Sequence, residues 1–215
     1  MHALFDDRRD AGRQLGVALK DAYAGATDLI VLGLPRGGVP VAWEVAQALH
    51  APLDILLVSK LGLPGHKEYA MGAIAEGGVL AVDESVLSAH GVSKEAVEAA
   101  QAAALTEMER REQVWRSGFP PPALEGRTVI LVDDGLATGC TMRAAVAAAR
   151  KRNPAEIVVA VPVSSEQAWE SLRRQADDIV SLHTPALFRA VGLWYSTFTQ
   201  TRDEEVSEIL ALSRA

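Results

Sequence analysis

Short, continuous apolar runs alternate with amphipathic segments along most of this chain. The runs are Leu29–Leu34, Leu53–Val58, Thr128–Val132, Glu156–Val161 and Asp178–Leu182. Runs of this length that do not alternate with polar residues predict strands buried on both faces. Around them, Arg8 to Tyr23 carries Leu15, Val17, Leu19 and Tyr23 among polar residues, which predicts a helix. Further helices are predicted over Val39–Leu49, Thr141–Arg152, Glu166–Gln175 and Asp203–Leu212. A long one spans Lys94–Arg116, with Val97, Leu105, Met108 and Trp115 along one side. Strands separated by helices imply a parallel sheet covered on both faces.

From Ser59 to Gly78 the pattern dissolves into Gly, Pro, Lys, His and Glu, with only Ala73-Ile74-Ala75 apolar. A loop this long is uncommon in a compact domain unless it is functional or disordered. Val79–Val82 is expected to pair with the short apolar piece as a hairpin. Pro120-Pro121-Pro122 reads as a stiff connection and not a domain boundary. Ligands of open parallel sheets bind beyond the carboxyl ends of the strands. The Pro35–Gly38, Ser59–Gly78 and Asp133–Thr141 segments all follow strands, so one rim is expected to gather them.

Composition narrows the picture little. At 215 residues, 49% hydrophobic and 23% charged, the chain suits a single domain with a full core. A formal charge of −7 argues against general nucleic-acid binding, which needs a basic surface. A single cysteine, Cys140, excludes an intramolecular disulfide. The N-terminus lacks the apolar core of a signal peptide and no apolar run reaches membrane length, so a cytoplasmic protein is expected. His2, His50, His90 and His183 show no metal-ligand spacing. Glu107, Glu109, Arg110, Arg111 and Glu112 read as a solvated helix face.

The densest chemistry lies where the strand Val129–Val132 ends in Asp133-Asp134 and runs into Gly135-Leu136-Ala137-Thr138-Gly139-Cys140-Thr141. Small loop residues let backbone N–H groups close on an anion, and the following helix adds its positive end. Two adjacent carboxylates repel unless hydroxyls or a cation occupy them. Three residues between the glycines, with no Lys-Ser/Thr after them, exclude a nucleoside-triphosphate P-loop. A plain strand-to-helix turn capped by Thr141 is the competing reading.

Three other segments carry candidate chemistry. Arg36-Gly37-Gly38 joins a phosphate fork to two glycines that allow close approach of an anion. Lys60 and Lys67 supply positive charge for a polyphosphate within the glycine-bearing 59–78 segment. Four aromatics fall within eleven residues, Phe188 to Phe198, in a chain only 5% aromatic. They offer a stacking wall for a planar base, with Phe188 and Trp194 as the candidate contacts. At least two of the four are expected in a small core beneath the C-terminal helix.

The thirteen residues from Val129 to Thr141 resemble the phosphoribosyl-pyrophosphate (PRPP) signature of type I phosphoribosyltransferases. The remaining segments resemble a bacterial group of phosphoribosyltransferases named only provisionally. The resemblance implies a central parallel sheet flanked by helices with a small variable hood. The core spans roughly Leu29 to Leu182, and the N-terminal helix with residues 183–215 forms the hood of a single domain. It implies that Asp133 and Asp134 contact ribose hydroxyls and, indirectly, Mg²⁺. Gly135, Ala137, Thr138, Gly139, Cys140 and Thr141 would cradle the 5′-phosphate. Arg36, Gly37 and Gly38 would bind pyrophosphate, with a strained or cis peptide before the first glycine. Lys60 and Lys67 would stabilise the leaving group on a mobile loop. The implied partners are PRPP, a nucleobase-like acceptor and a second copy of the chain. Purine-salvage members of the hypoxanthine–guanine kind place an acid where this chain has Ala137, so the acceptor stays open. A catalytically silent PRPP or nucleotide sensor, or a phosphoribosyl hydrolase, is the alternative function.

Overall fold

A computed structural model describes residues 3–23 and 25–214, with Lys67 and Glu68 described through their backbone alone. Five strands build the main sheet: β1 (Leu29–Gly33), β2 (Leu53–Ile55), β6 (Thr128–Val132), β7 (Glu156–Val163) and β8 (Asp178–His183). They run parallel in the order β2-β1-β6-β7-β8. Side chains alternate across a strand, and β1, β2, β6 and β7 bury both sets, whereas the edge strand β8 is only partly buried. Val31, Ile130, Val132, Val158 and Ala160 face a core shared with α1 (Arg8–Tyr23), α2 (Gly38–Leu49), α4 (Lys94–Arg116) and α7 (Asp203–Ser213). Ile30, Leu32, Val129, Leu131 and Val159 face the other core, shared with α5 (Cys140–Arg150) and α6 (Glu166–Leu172). The expected class, a central parallel sheet flanked by helices, is the one observed, with a small antiparallel sheet beside it.

Three departures have physical causes. Residues 59–78 are largely not a loop: β3 (Val58–Leu63), β4 (His66–Ala75) and β5 (Val79–Val82) form an antiparallel sheet in that order. The register runs Val58↔Ala75 to Leu61↔Gly72 and then shifts at Gly62 and Leu63. That irregularity disrupts the period-two pattern, although Val58, Leu61 and Leu63 are buried. The expected pairing of Ala73–Ala75 with Val79–Val82 is present, from Ala73↔Ala81 to Ala75↔Val79. A short helix α3 (Glu84–His90) was not anticipated. Asp83 caps it by accepting from the Ser85 and Val86 N–H groups, and Gly91 ends it in the left-handed conformation. Helix α5 is capped at Gly139, with φ of 69°, and not at Thr141, which lies within its first turn.

Arg116, the last residue of α4, is 1% exposed. It binds Asp54, Glu76 and Glu112 and donates to the Ile55 carbonyl. The network ties the end of α4 to β2 and to the turn after β4. A third small cluster packs Phe5, Ala11, Val163, Trp194 and Tyr195 where the two ends of the chain meet. There the Leu4 and Phe5 N–H groups donate to the Trp194 carbonyl, and Ser196 N–H donates to the Phe5 carbonyl. Among the described residues, no helix is long and apolar enough to cross a membrane.

Candidate active site

Strands β1 and β6 lie side by side, Gly33 opposite Val132, so the segments leaving their carboxyl ends are neighbours. Together with Lys60 of β3 they line a cavity of about 440 Å³. Arg36 and Gly37 come from the first segment. Asp133 to Gly139 and Thr141 come from the second. The rim expected from the order of elements is present, although Lys60 reaches it from a strand and not from a loop. The side chain of Lys67 lies outside the described residues. Gly38 and Cys140 do not line the cavity.

Glycine is required at 37 and 38 for space. A Cβ on Gly38 would come within 2.6 Å of the Val132 carbonyl oxygen, and one on Gly37 would collide with the Asp134 carboxylate, its Cγ at 2.8 Å. The two segments can therefore press together only with bare backbone between them. The Pro35–Arg36 peptide is cis, one bond ahead of the link that precedes the first glycine. Arg36 itself leans towards Asp203 at the start of α7, Nη1 to Oδ1 3.5 Å.

The acid-pair loop is held from behind. Leu136 N–H donates to the Val163 carbonyl at 2.9 Å, Ser165 N–H donates to the Leu136 carbonyl at 2.8 Å, and Ser165 Oγ donates to the Ala137 carbonyl at 2.6 Å. Arg143 donates to the Thr138 carbonyl at 3.0 Å. The carbonyls of Leu136, Ala137 and Thr138 are thus engaged. Among the described residues no protein acceptor takes the N–H of Ala137, Thr138 or Gly139. Free amides beside a helix start suit an anion with several oxygens.

Asp133 accepts the Asp134 N–H at 2.8 Å, and Asp134 accepts from Arg8 Nε at 2.8 Å. Burial, then the charge of Asp134, raises the Asp133 pKa well above the ordinary carboxylate value. Burial also raises Asp134, against the opposing charge of Arg8. Two carboxylates driven towards their protonated forms favour a ligand that brings hydroxyl donors or a cation. Tyr195 fixes the same turn, its hydroxyl donating to the Asp134 carbonyl at 2.6 Å.

Residues 10–191 match the family described as the phosphoribosyl transferase domain. The chain belongs to that family. Two Mycobacterium tuberculosis proteins, from strains CDC 1551 and H37Rv and both provisionally named phosphoribosyl transferases, are 46% identical to it over 207 residues. That alignment covers 96% of this chain and 46% of theirs, so the chain spans about half the length of these relatives. The crystal structure of TT1426 from Thermus thermophilus is 43% identical, with a TM-score of 0.79 over 96% of this chain and 97% of that one. A protein of Aquifex aeolicus, AQ2163, shares the fold at 13% identity and a TM-score of 0.50, covering 81% of this chain and 73% of that one.

This phosphoribosyl transferase domain differs from the sequence reading on its aromatic wall. Trp194 is 6% exposed and belongs to the small terminal core with Tyr195. Phe188 packs on Trp194, ring centroids 6.2 Å apart, and neither residue lines the cavity. The cavity wall is instead built by Arg8, Val191, Phe198, Gln200 and Thr201. Phe198 belonged to the aromatic cluster and could have been chosen on that signal. Arg8 carried none, because nothing local separates it from Arg9 or Arg13. Its partner lies 126 residues away.

Proposed function

We propose that this chain transfers the 5-phosphoribosyl group of PRPP to a nucleobase-like nitrogen acceptor, releasing pyrophosphate, in a Mg²⁺-dependent reaction. One observation carries the reading: the acid pair, the amide loop and the Arg36-Gly37 segment line one cavity, joined there by Lys60. A simple monophosphate would need only the amide loop. A donor with a phosphate at one end, a diol in the middle and a diphosphate at the other uses all of them.

Asp133 and Asp134 take the ribose 2′- and 3′-hydroxyls as donors to their carboxylates. The free amides of residues 137–139, with Thr138 and Thr141, bind the 5′-phosphate. Arg36, the bare backbone at Gly37 and Lys60 face the diphosphate, with Lys67 assigned to the same task. The acceptor nitrogen's lone pair forms the bond to C1 with inversion while the C1–O bond breaks and its electron pair leaves with pyrophosphate. Catalysis rests on positioning and on charge stabilisation of the leaving group. The N-terminal segment and residues 183–215 form the hood over the acceptor.

The residues suit Mg²⁺. The acid pair is a hard-oxygen donor set destabilised by its own burial and repulsion. Among the described residues no cluster of three or more His, Cys, Asp or Glu forms a full cage, which suits an ion that keeps waters and substrate oxygens. Asp133 and Asp134 would hold it through ribose hydroxyls or water. When bound it would neutralise charge on the diphosphate.

A silent PRPP sensor of the same fold is the second reading. It is favoured by Arg8 already occupying Asp134 and by Ala137 standing where an acid faces the base in some family members. Pyrophosphate release from PRPP across purines, pyrimidines and related heterocycles, with and without Mg²⁺, separates the two. Turnover with one acceptor, dependent on Mg²⁺, is expected. PRPP binding with no turnover across the whole panel would sink the transferase reading and favour the sensor.

A further inference from the structure

The donor reading assigns one side of the cavity and leaves the hood wall unassigned. That wall is lined by Arg8, Val191, Phe198, Gln200 and Thr201. Among the described residues, the only carboxylates lining the cavity are Asp133 and Asp134, which the donor's ribose takes. What remains for an acceptor is a cation, uncharged polar groups and an aromatic face, with no acid to receive a ring N–H.

Arg8 is held in place rather than left to sample solvent. Its side chain is 12% exposed. Nε donates to Asp134 Oδ2 at 2.8 Å and Nη1 donates to the Thr199 carbonyl at 2.6 Å. Cζ stands 3.9 Å from the centroid of the Phe198 ring, a cation–π distance. The pair has room because Gly37 lacks a side chain: a Cβ there would lie 3.2 Å from Arg8 Nε. The helix start that carries Arg8 is itself tied to the C-terminal segment, with Thr197 N–H donating to the Asp6 carbonyl at 2.8 Å. Among the described residues no acceptor takes Nη2. A planar, fixed guanidinium with a donor edge still open is the group that recognises a carboxylate. It also stands beside Asp134, so its charge screens an anionic ligand from the acid pair.

We propose that Arg8, seated on Phe198, is the specificity-determining residue of the acceptor side and selects planar nitrogen heterocycles that carry an anionic substituent, a ring carboxylate above all. The inference rests on the donor reading for the assignment of the acid pair to ribose.

Calorimetric titration of the whole chain with matched pairs tests it: orotate against uracil and nicotinate against nicotinamide, each with and without ribose 5-phosphate. The carboxylate member is expected to bind at least about tenfold tighter, the scale of one charge-assisted hydrogen bond. Arg8→Gln should bring each pair to within about threefold, and Arg8→Lys should keep part of the preference. Pairs that bind alike in the unaltered protein, no binding by any of the four, or a preference that survives Arg8→Gln overturns the inference. The comparison in the unaltered protein needs no variant, so a misfolded Arg8→Gln does not blunt it. PRPP is titrated separately. PRPP binding without a carboxylate preference overturns the acceptor inference alone, whereas an Arg8-dependent preference without PRPP binding overturns the donor reading alone.

Discussion

Replacing Arg116 with Met should cost this protein more stability than any single change at its surface. The guanidinium is 1% exposed and sits 3.3 Å from Asp54 and 3.2 Å from Glu76. It also donates to Glu112 at 2.5 Å and to the Ile55 carbonyl at 2.8 Å. Burial works against its charge, but Glu76, Asp54 and Glu112 outweigh that and hold its pKa above the ordinary arginine value. Methionine fills much of the volume and leaves the acids behind. Breaking a buried pair by removing one partner costs about 3–5 kcal/mol. The lower end applies here, because Glu76 keeps Arg152 at 2.8 Å and Asp54 keeps Arg214 at 3.7 Å. For a chain of this size about 3 kcal/mol corresponds to a fall of roughly 6–12 °C in Tm. Thermal and urea unfolding followed by circular dichroism measure it. The loss should persist in about 1 M salt, where exposed pairs are screened out. A fall below about 1 kcal/mol would show that water serves Asp54 and Glu76, placing Arg116 among ordinary surface pairs.

The site gives three more predictions. Asp134→Asn removes a charged acceptor for ribose hydroxyls, so PRPP affinity should drop by about tenfold or more in calorimetry, with turnover lost; unchanged affinity would remove Asp134 from the donor site. Asp133 has its pKa raised by burial and by Asp134, so its contribution to stability is present below the ordinary carboxylate range and lost as pH rises through the raised value. Asp133→Asn, which keeps an acceptor for the Asp134 N–H, should therefore raise the metal-free Tm above that window by about 1–8 °C, the advantage fading in acid; a lower Tm at neutral pH contradicts the assigned direction. Gly37→Ala strains no backbone, since φ is −62°, but drives a methyl into the Asp134 carboxylate, so donor binding should weaken by about tenfold or more. Binding as tight as in the unaltered protein would show that the two segments can separate freely.

Most of the frame was legible because the parallel sheet buries both faces of β1, β2, β6 and β7 and so leaves unbroken apolar runs, Leu29–Leu34 and Thr128–Val132 among them. The acid pair and its loop were legible for a related reason, since a strand, two carboxylates and a small-residue turn are contiguous in the chain. The β3–β4 hairpin was not, because the register shift at Gly62 and Leu63 breaks the alternation on which the reading depends. Arg116 was invisible because an arginine at the end of a charged helix looks the same whether water or three carboxylates surround it. Trp194 was misassigned to the base for the converse reason. Its indole is buried beneath the chain terminus, with no hydrogen-bond partner for Nε1 among the described residues, while the smaller Phe198 faces the cavity.

The two halves of the cavity therefore follow different rules. The donor half is drawn mainly from strand ends, and its backbone amides and close glycine contacts tolerate little change, since a Cβ at residue 37 or 38 collides with the neighbouring segment. The half assigned to the acceptor is assembled from segments far apart in sequence, joined by the bridge from Phe5 to Tyr195 and by the reach of Arg8 to Asp134 and Thr199. Its residues project from the start of α1 and from the segment before α7, outside the main sheet, so exchanging them disturbs no strand register. A fold built this way can keep one donor and change its acceptor by substitution at positions such as Arg8, Val191 and Phe198. On the proposed reading, a signature that names the donor is silent on the acceptor, and the guanidinium on its aromatic seat would carry the choice.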